Sequence, residues 1–286
     1  LNAAGVGLYR SEFPFLIRNG FPTEDEQLAV YRRVVEETEG KPVSFRTLDL
    51  GGDKLLSSQV GREDNPFLGF RGVRFLLEHR ELFREQLRAM LRAGNGIELG
   101  VQFPMIASLD EFVAAREEVY HCIDELAREG IEHNAAPKLG VMIELPSAIE
   151  IAPELAQVTD YLSIGTNDLI MYMLAADRTN HRVGELYRTV HPAVLRAIAR
   201  LMSAVAPTNT PVSVCGAAAT DPAMVAFFLG IGIRSLSVDP DGLTTVAEVI
   251  SGTSVAEVEQ VAQRMLATAD RSVLAEITED VRRQFQ

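Results

Sequence analysis

The chain has 286 residues, of which 47% are hydrophobic and 23% charged, and this composition excludes intrinsic disorder. Its formal net charge of −13 argues against a general nucleic-acid-binding surface, because neutralising phosphates requires an excess of clustered Lys and Arg. No window approaches the length of uninterrupted apolar sequence that a membrane span needs, so we expect no membrane partner. Only Cys122 and Cys215 are present, which excludes a disulfide framework and favours a reducing, cytoplasmic compartment.

Seven short apolar runs end in polar residues or glycine and are predicted to be strands. They are residues 5–10, 42–49, 99–105, 139–145, 161–166, 211–215 and 235–238. Helical periodicity between them predicts helices at residues 24–38, 81–92, 109–129, 193–206 and 222–229. This alternation predicts an α/β fold with parallel strands joined by right-handed crossovers.

Charged and polar residues follow six of these strands, and their placement decides between a barrel and an open sheet. In a (β/α)8 TIM barrel the carboxyl ends of all strands converge on one rim, whereas in an open sheet only the ends near a switch point meet. Charged and polar residues at the carboxyl ends of six strands favour the barrel. Seven strands are found where eight are required, and residues 1–4 resemble the end of a helix, so we expect the first strand to precede residue 1.

The predicted domain organisation has two parts. Residues 1–240 are assigned to the barrel, and residues 241–286 to a C-terminal helical extension of the same domain, with one or two helices from Ala247 onward. Residues 51–70 are rich in Gly, Asp and Ser and are expected to form a long loop over the rim.

Four arginines, Arg10, Arg46, Arg71 and Arg178, lie in or beside the loops that follow strands. Guanidinium groups bind phosphate and carboxylate bidentately, so a set of them at one rim suits a small phosphorylated acid. For any single arginine, a surface ion pair is the more ordinary interpretation, and the set is more persuasive than its members.

Glu144 and Asp168 each end an apolar strand, and two such carboxylates are typical of a Mg²⁺ site, since this ion takes few protein ligands. The alternative for Asp168 is that it caps the following helix. Cys215 ends another strand and is expected to point its thiol into the same rim, although a buried cysteine is often inert packing.

The motifs at residues 5–13 (GVGLYRSEF), 46–54 (RTLDLGGDK), 65–71 (NPFLGFR), 165–168 (GTND) and 174–178 (LAADR) occur in this order. Together they closely resemble the phosphoenolpyruvate-binding C-terminal domain of Enzyme I of the sugar phosphotransferase system. The resemblance runs from Gly5 to about Pro240. Residues 13–16 and 19–24, with the long tail, look most like the nitrogen-related branch, whose members carry a sensory GAF domain.

The resemblance implies a Mg²⁺-dependent enzyme that transfers the phosphoryl group of phosphoenolpyruvate to a histidine on a separate domain of the same full-length protein and releases pyruvate. The phosphoryl group then passes to a downstream phosphocarrier protein, and a homodimer is expected. By resemblance, the substrate-binding residues are Arg10, Arg46, Arg71, Asn167, Asp168 and Arg178, the metal ligands are Glu144 and Asp168, and the acid that protonates the enolpyruvate methylene carbon is Cys215.

Three features depart from the family pattern. Ala217 stands where the family has Glu after Cys-Gly, Ile170 and Met171 replace the usual Thr-Gln, and the phosphohistidine domain is absent from these residues. Two alternatives therefore stay open. One is the equivalent domain of pyruvate phosphate dikinase or phosphoenolpyruvate synthase, which Tyr9 and residues 13–15 make the weaker match. The other is a phosphoenolpyruvate-binding sensor with weakened catalysis, which Ala217 encourages.

Overall fold

A computed structural model describes residues 3–16, 21–50 and 64–285. The chain divides into two compact units, one of residues 4–142 and one of residues 143–286 together with residues 1–3. Most of the predicted rim loop, residues 51–63, lies outside the described residues, and the remainder contains a short 3₁₀ helix at Pro66–Leu68.

The first unit is built on parallel strands that pair in chain order. Its strands are β1 (Val6–Arg10), β2 (Val43–Arg46), β3 (Leu99–Phe103) and β4 (Lys138–Ile143), and its helices are α1 (Phe13–Leu16), α2 (Glu24–Glu37), α3 (Val73–Glu78), α4 (Arg80–Ala93) and α5 (Leu109–Glu129). Every residue of β3 is buried, as expected for a parallel strand covered on both faces.

The long helices of this unit begin where the sequence supplies a capping box. Thr23 and Glu26 satisfy each other's backbone N–H groups at the start of α2, and Ser108 and Glu111 do the same for α5. Helix α5 ends at Gly130, whose φ of 69° is a left-handed conformation that glycine adopts without strain.

The second unit has the same strand-helix alternation. Its strands are β5 (Tyr161–Gly165), β6 (Val212–Cys215) and β7 (Ser235–Leu236), and its helices are α6 (Pro146–Glu150), α7 (Ala152–Val158), α8 (Thr166–Leu174), α9 (Pro192–Val205), α10 (Pro222–Gly230), α11 (Leu243–Gly252), α12 (Val255–Ala267) and α13 (Arg271–Arg283). The strands β5, β6 and β7 are parallel neighbours in that order.

The tail contains three helices rather than the one or two predicted, and the first begins at Leu243 rather than Ala247. N-cap residues start two new helices within the tail. Ser254 forms a capping box at α12, and the Asp270 carboxylate accepts a hydrogen bond from the Ser272 N–H at α13. Helix α12 packs tightly on α10, where a Cβ added to Gly230 would lie 2.1 Å from the carbonyl oxygen of Val258.

The fold class predicted from the sequence, an α/β fold of the (β/α)8-barrel type with seven strands in the chain, is confirmed, since all seven predicted strands are present among the described residues. The second predicted strand is shorter than expected: β2 ends at Arg46, not at residue 49. Across the ranges that the structure covers, every helix is too short or too polar to cross a membrane.

Candidate functional site

In the first unit, Arg46 at the end of β2 is held between two carboxylates. Its Nη2 lies 2.7 Å from Glu12 Oε1, and its Nη1 lies 3.1 Å from Asp49 Oδ2. Arg71 grips the same Asp49 bidentately, with Nε 3.0 Å from Oδ1 and Nη2 2.7 Å from Oδ2. The two guanidinium groups are thereby oriented by one shared carboxylate, and charge-assisted pairs of this kind fix direction as well as adding energy.

The side chain of Asp49 is only 2% exposed, and this burial alone would raise its pKa. The positive charges of Arg46, Arg71 and Arg10 outweigh burial and hold the pKa of Asp49 below its ordinary value. Asp49 is therefore ionised among the guanidinium groups that it orients.

The early end of β2 has a local cause. The N–H of Leu48 donates to Gln86 Oε1 at 2.8 Å, and the N–H of Asp49 donates to Glu12 Oε1 at 3.1 Å. Side chains thus take the backbone donors that a longer strand would use, and the turn brings Asp49 to the arginines. Gly72 lies alongside, and a Cβ there would be 2.8 Å from the Met105 side chain and 3.3 Å from Asp49 Oδ1.

In the second unit, Glu144 and Asp168 are both buried, with 1% and 6% of their surfaces exposed. A carboxylate oxygen of one lies within 4.8 Å of a carboxylate oxygen of the other. Two buried carboxylates at this separation repel unless a cation joins them, so the pair suits a hard metal ion. Asp168 is not the cap of α8, because that helix begins at Thr166 and its N-cap is Gly165.

Asn167, in the first turn of α8, joins three segments of this unit. Its Oδ1 accepts a hydrogen bond of 3.0 Å from the N–H of Ala217, and its backbone carbonyl accepts one of 3.2 Å from the hydroxyl of Tyr187. With Oδ1 occupied, the Nδ2 amide group is the donor that Asn167 offers to an anion. Ala217 contributes its backbone N–H here, which any residue at that position could provide.

Cys215 ends β6 and is buried, with 4% of its surface exposed. Its thiol donates to the carbonyl oxygen of Ile164 at 3.5 Å, and the hydroxyl of Ser163 lies 3.9 Å from the sulfur. Only the protonated form of a thiol can donate such a hydrogen bond, and the same form is required of an acid.

Arg178 lies on the loop after α8, close to Tyr187. Burial raises the pKa of the Tyr187 hydroxyl, the neighbouring Arg178 lowers it, and Asp168 raises it again, so that the pKa is above its ordinary value and the hydroxyl stays protonated.

The predicted site residues fall into two groups. The first unit brings together Arg10, Arg46 and Arg71. The second brings Glu144 close to Asp168 and places Arg178 near Tyr187, which is bonded to Asn167. Cys215 is joined to the start of the same helix, α8, because its carbonyl accepts from the Thr166 hydroxyl at 2.7 Å. Ile170 and Met171, which depart from the family pattern, are both buried. Sequence reasoning assigned no role to Glu12, Asp49, Thr166 or Tyr187. The sequence could have identified Glu12 and Asp49 as site residues, since each follows a strand inside a recognised motif. No feature of the sequence pointed to Tyr187.

Residues 1–255 match the family model of the PEP-utilising enzyme, PEP-binding domain. The chain is 40% identical over 289 residues to a phosphoenolpyruvate-protein phosphotransferase of Bacillus sp. (strain S), covering 99% of this chain and 49% of that protein. It is 45% identical over 236 residues to the phosphoenolpyruvate-protein phosphotransferase of Geobacillus stearothermophilus, covering 82% and 41% respectively.

It is also 44% identical over 267 residues to a multiphosphoryl transfer protein of Rhodobacter capsulatus, covering 93% of this chain and 31% of that protein. The chain therefore spans less than half the length of each of these curated relatives. A family match that covers most of the chain, with the predicted arginines and carboxylates in defined geometry, identifies it: this chain belongs to the family of PEP-binding domains of PEP-utilising enzymes.

Proposed function

We propose that this chain binds phosphoenolpyruvate with Mg²⁺ and is the catalytic domain of a phosphotransferase-system Enzyme I, in which the phosphoryl group passes to a histidine on a separate domain and pyruvate is released. The observation that supports this most directly is the arginine cluster, in which Glu12 and Asp49 orient the guanidinium groups of Arg46 and Arg71. Guanidinium groups fixed in this way suit the oxygens of a phosphate.

Arg10 and Arg46 are the proposed contacts to the substrate phosphate, with Arg71 beside them. Glu12 and Asp49 hold Arg46 from two sides, so its guanidinium is oriented before the substrate arrives. Asn167 and Arg178 are proposed to bind the phosphate and carboxylate groups of the substrate. A side chain that is oriented before the substrate binds loses less conformational entropy on binding. Catalysis of phosphoryl transfer depends mainly on positioning and on stabilisation of charge.

Glu144 and Asp168 fit Mg²⁺, because both are buried and present hard oxygen donors within 4.8 Å of one another. When bound, the ion supplies charge neutralisation for the phosphoryl oxygens. The two carboxylates hold it and serve as neither base nor nucleophile, and Asp168 is in addition a proposed neighbour of the substrate.

Cys215 is the proposed proton donor. As the phosphoryl group moves to the acceptor nitrogen, the bond between phosphorus and the bridging oxygen breaks and its electron pair stays on that oxygen. This pair forms the carbonyl of pyruvate, while the electrons of the C=C double bond take a proton from the thiol at the methylene carbon. The thiolate that remains is reprotonated from solvent, which completes the cycle. In the free chain the thiol lies 3.5 Å from the Ile164 carbonyl oxygen as its donor, and only this protonated form can serve as the acid.

The wider setting belongs to the same proposal. The expected partners are the phosphohistidine domain of the same full-length protein, a downstream phosphocarrier and a second copy of the chain. Both cysteines are free, which supports a reducing, cytoplasmic location. We assign residues 1–240 to the catalytic domain and 241–286 to its extension, and the nitrogen-related branch stays a proposal.

The test of ligand and metal is thermal stabilisation. Phosphoenolpyruvate should raise the melting temperature only with Mg²⁺ present, because a ligand stabilises the native state by RT ln(1 + [L]/Kd). Glu144→Gln and Asp168→Asn should abolish the shift, whereas Glu259→Gln, at an exposed position on α12, should retain it. Full stabilisation under chelator, or an unchanged shift in both site variants, contradicts the metal assignment.

The test of Cys215 is pyruvate release with a phosphohistidine domain supplied. Cys215→Ala should preserve phosphoenolpyruvate binding and reduce turnover by about 10²- to 10⁴-fold, the usual contribution of a positioned acid. Equal losses of binding and turnover contradict the acid role.

The same assay decides the alternative of a phosphoenolpyruvate sensor, which Ala217 favours by removing a side-chain carboxylate next to Cys215. An enzyme should release pyruvate in the wild type and gain rate in Ala217→Glu. A sensor should bind phosphoenolpyruvate and turn over in neither form.

A further inference from the structure

The loop between α8 and α9 carries two functional groups on one braced segment. Residues 177–187 are here called the arginine loop, which carries Arg178 at its second position and ends at Tyr187. The N–H and hydroxyl of Thr179 both donate to Asp177 Oδ1, at 2.8 and 2.7 Å. Further along, the N–H of Gly184 donates to the Asn180 carbonyl at 2.8 Å. The N–H of Tyr187 donates to the Gly184 carbonyl at 3.1 Å. These bonds form successive turns along the loop, so that its backbone is braced from Asp177 to Tyr187.

Tyr187 fastens this piece to α8. Its hydroxyl donates 3.2 Å to the backbone carbonyl of Asn167, in the helical turn that carries Asp168. The side chain of the same Asn167 holds the N–H of Ala217 after β6. The Tyr187 hydroxyl therefore anchors the arginine loop to the turn that unites the rest of this half of the site.

The same hydroxyl also meets Arg178. A phenol has one hydrogen to donate and lone pairs to accept with. Since its hydrogen is directed at Asn167, the oxygen keeps lone pairs with which to accept, and Arg178 is near enough for its charge to lower the pKa of this hydroxyl. Tyr187 thus lies between Asn167, to which it is hydrogen-bonded, and Arg178, whose charge acts on its hydroxyl.

We propose that Tyr187 is a positioning residue that holds the Arg178 guanidinium in register with the first turn of α8. The proposal rests on the proposed function in one respect, the contact of Arg178 with phosphoenolpyruvate. An arginine side chain has large rotamer freedom, which binding has to remove. A phenol that fixes the guanidinium beforehand removes part of that cost, so Tyr187 acts on affinity through Arg178 without touching the substrate.

The test is a double-mutant cycle in Mg²⁺-phosphoenolpyruvate affinity, measured by calorimetry on the chain. Tyr187→Phe should weaken binding about tenfold, the order expected for losing a hydrogen bond to a charged group. In an Arg178→Met background the same change should have almost no further effect. Tyr120→Phe, the same substitution at an exposed tyrosine on α5, should leave affinity unchanged.

A second readout does not depend on substrate. In the ligand-free protein, the ¹⁵Nε order parameter of Arg178 should fall in Tyr187→Phe and remain at its wild-type value in Tyr120→Phe. If Tyr187 only stabilises the fold of the loop, Tyr187→Phe will lower affinity equally in the wild-type and Arg178→Met backgrounds and will leave the Arg178 order parameter unchanged. Either result overturns the proposal.

The two proposals fail in different ways. A wild-type chain that does not bind phosphoenolpyruvate overturns the proposed function, and the Arg178 order parameter then still decides the role of Tyr187. A wild type that binds, with Arg178→Met weakened and Tyr187→Phe unaffected, overturns the role of Tyr187 alone.

Discussion

The hydroxyl of Thr166 donates a hydrogen bond of 2.7 Å to the carbonyl oxygen of Cys215 and so joins the first residue of α8 to the last residue of β6. The next residue, Gly216, passes against this contact with φ of 93° and ψ of 179°. A Cβ at that position would lie 2.5 Å from Thr166 Oγ1 and 3.0 Å from Asn167 Oδ1. The helix that carries Asp168 and the strand that carries Cys215 approach this closely because glycine lies between them.

Gly216→Ala should therefore destabilise the protein through both backbone strain and collision. Gly232→Ala is the matched control, since Gly232 has φ of 96° and a Cβ there would meet nothing within 4 Å. The strain common to both costs about 1–3 kcal/mol, and we expect Gly216→Ala to lose roughly 1–3 kcal/mol more from overpacking. Urea unfolding of the two variants measures the difference, and equal losses contradict the steric account.

A second prediction concerns Asp49, whose native pKa is lowered mainly because Arg46 and Arg71 outweigh the effect of burial. A carboxyl whose pKa falls on folding stabilises the native state above its unfolded pKa of about 3.9, and that stabilisation is lost as pH falls through the native pKa. Asp49→Asn should lower the unfolding free energy near neutral pH by about 3–5 kcal/mol, because two guanidinium groups lose a buried partner.

The acid dependence provides the sharper measurement. Unfolding free energies measured downward from about pH 6 should fall more steeply below roughly pH 4 in the wild type than in Asp49→Asn. Asp124→Asn makes the same charge change at an exposed position on α5 and should follow the wild-type curve. A variant curve parallel to that of the wild type would show that Asp49 carries no proton-linked stability.

The sequence predicts the strands and arginines of this site because both are local signals. A strand is a short apolar run, and Arg10 and Arg46 stand at the ends of two of them. The pairing of Arg46 with Glu12 joins residues 34 positions apart, and that of Arg71 with Asp49 joins residues 22 apart. Which carboxylate meets which arginine is decided by tertiary packing, which periodicity does not encode.

The shortest helices are not predicted from the sequence, for a related reason. Helices α6 and α7 have 5 and 7 residues, too few to show a 3.6-residue period, and α8 begins at Thr166, where a strand was predicted to end. Tyr187 lies in a non-repetitive loop 20 residues from the Asn167 carbonyl that it contacts. Its role depends on the path of that loop, and only the folded structure supplies it.

A third prediction uses a buried amide. Gln102 on β3 has no exposed surface, and within the ranges that the structure describes neither amide atom of its side chain has a hydrogen-bond partner. An unsatisfied buried polar group costs about 1–3 kcal/mol, so Gln102→Leu should raise the unfolding free energy by roughly 1–2 kcal/mol.

Gln86→Leu is the matched control with the opposite expected sign. Gln86 is equally buried, but its amide is bonded to the Ser11 hydroxyl at 3.0 Å and to the Leu48 N–H at 2.8 Å. Its loss should destabilise by about 2–4 kcal/mol, since it leaves buried partners unsatisfied. Destabilisation by both substitutions would contradict the account of Gln102 as an unsatisfied buried amide.

The final prediction concerns His191, which caps α9 with its imidazole ring. Nδ1 accepts a hydrogen bond of 3.2 Å from the N–H of Ala193, and a nitrogen that accepts must be unprotonated. Burial and the nearby charge of Arg271 lower the pKa of His191 below its ordinary value. Its stabilising contribution is therefore complete above the unfolded pKa of about 6.5 and is lost as pH falls through the lower native pKa.

Asn caps a helix through its side-chain oxygen and does not titrate, so His191→Asn separates capping from protonation. The variant should match the wild type near pH 8 and exceed its unfolding free energy by about 1 kcal/mol near pH 5, the usual contribution of a cap. His191→Ala should be weaker than the wild type at the higher pH and approach it at the lower, because protonation has already removed the cap. His181→Asn, at an exposed position, should follow the wild type throughout. If the curves of His191→Asn and the wild type stay parallel across this range, the helix does not depend on the neutral imidazole.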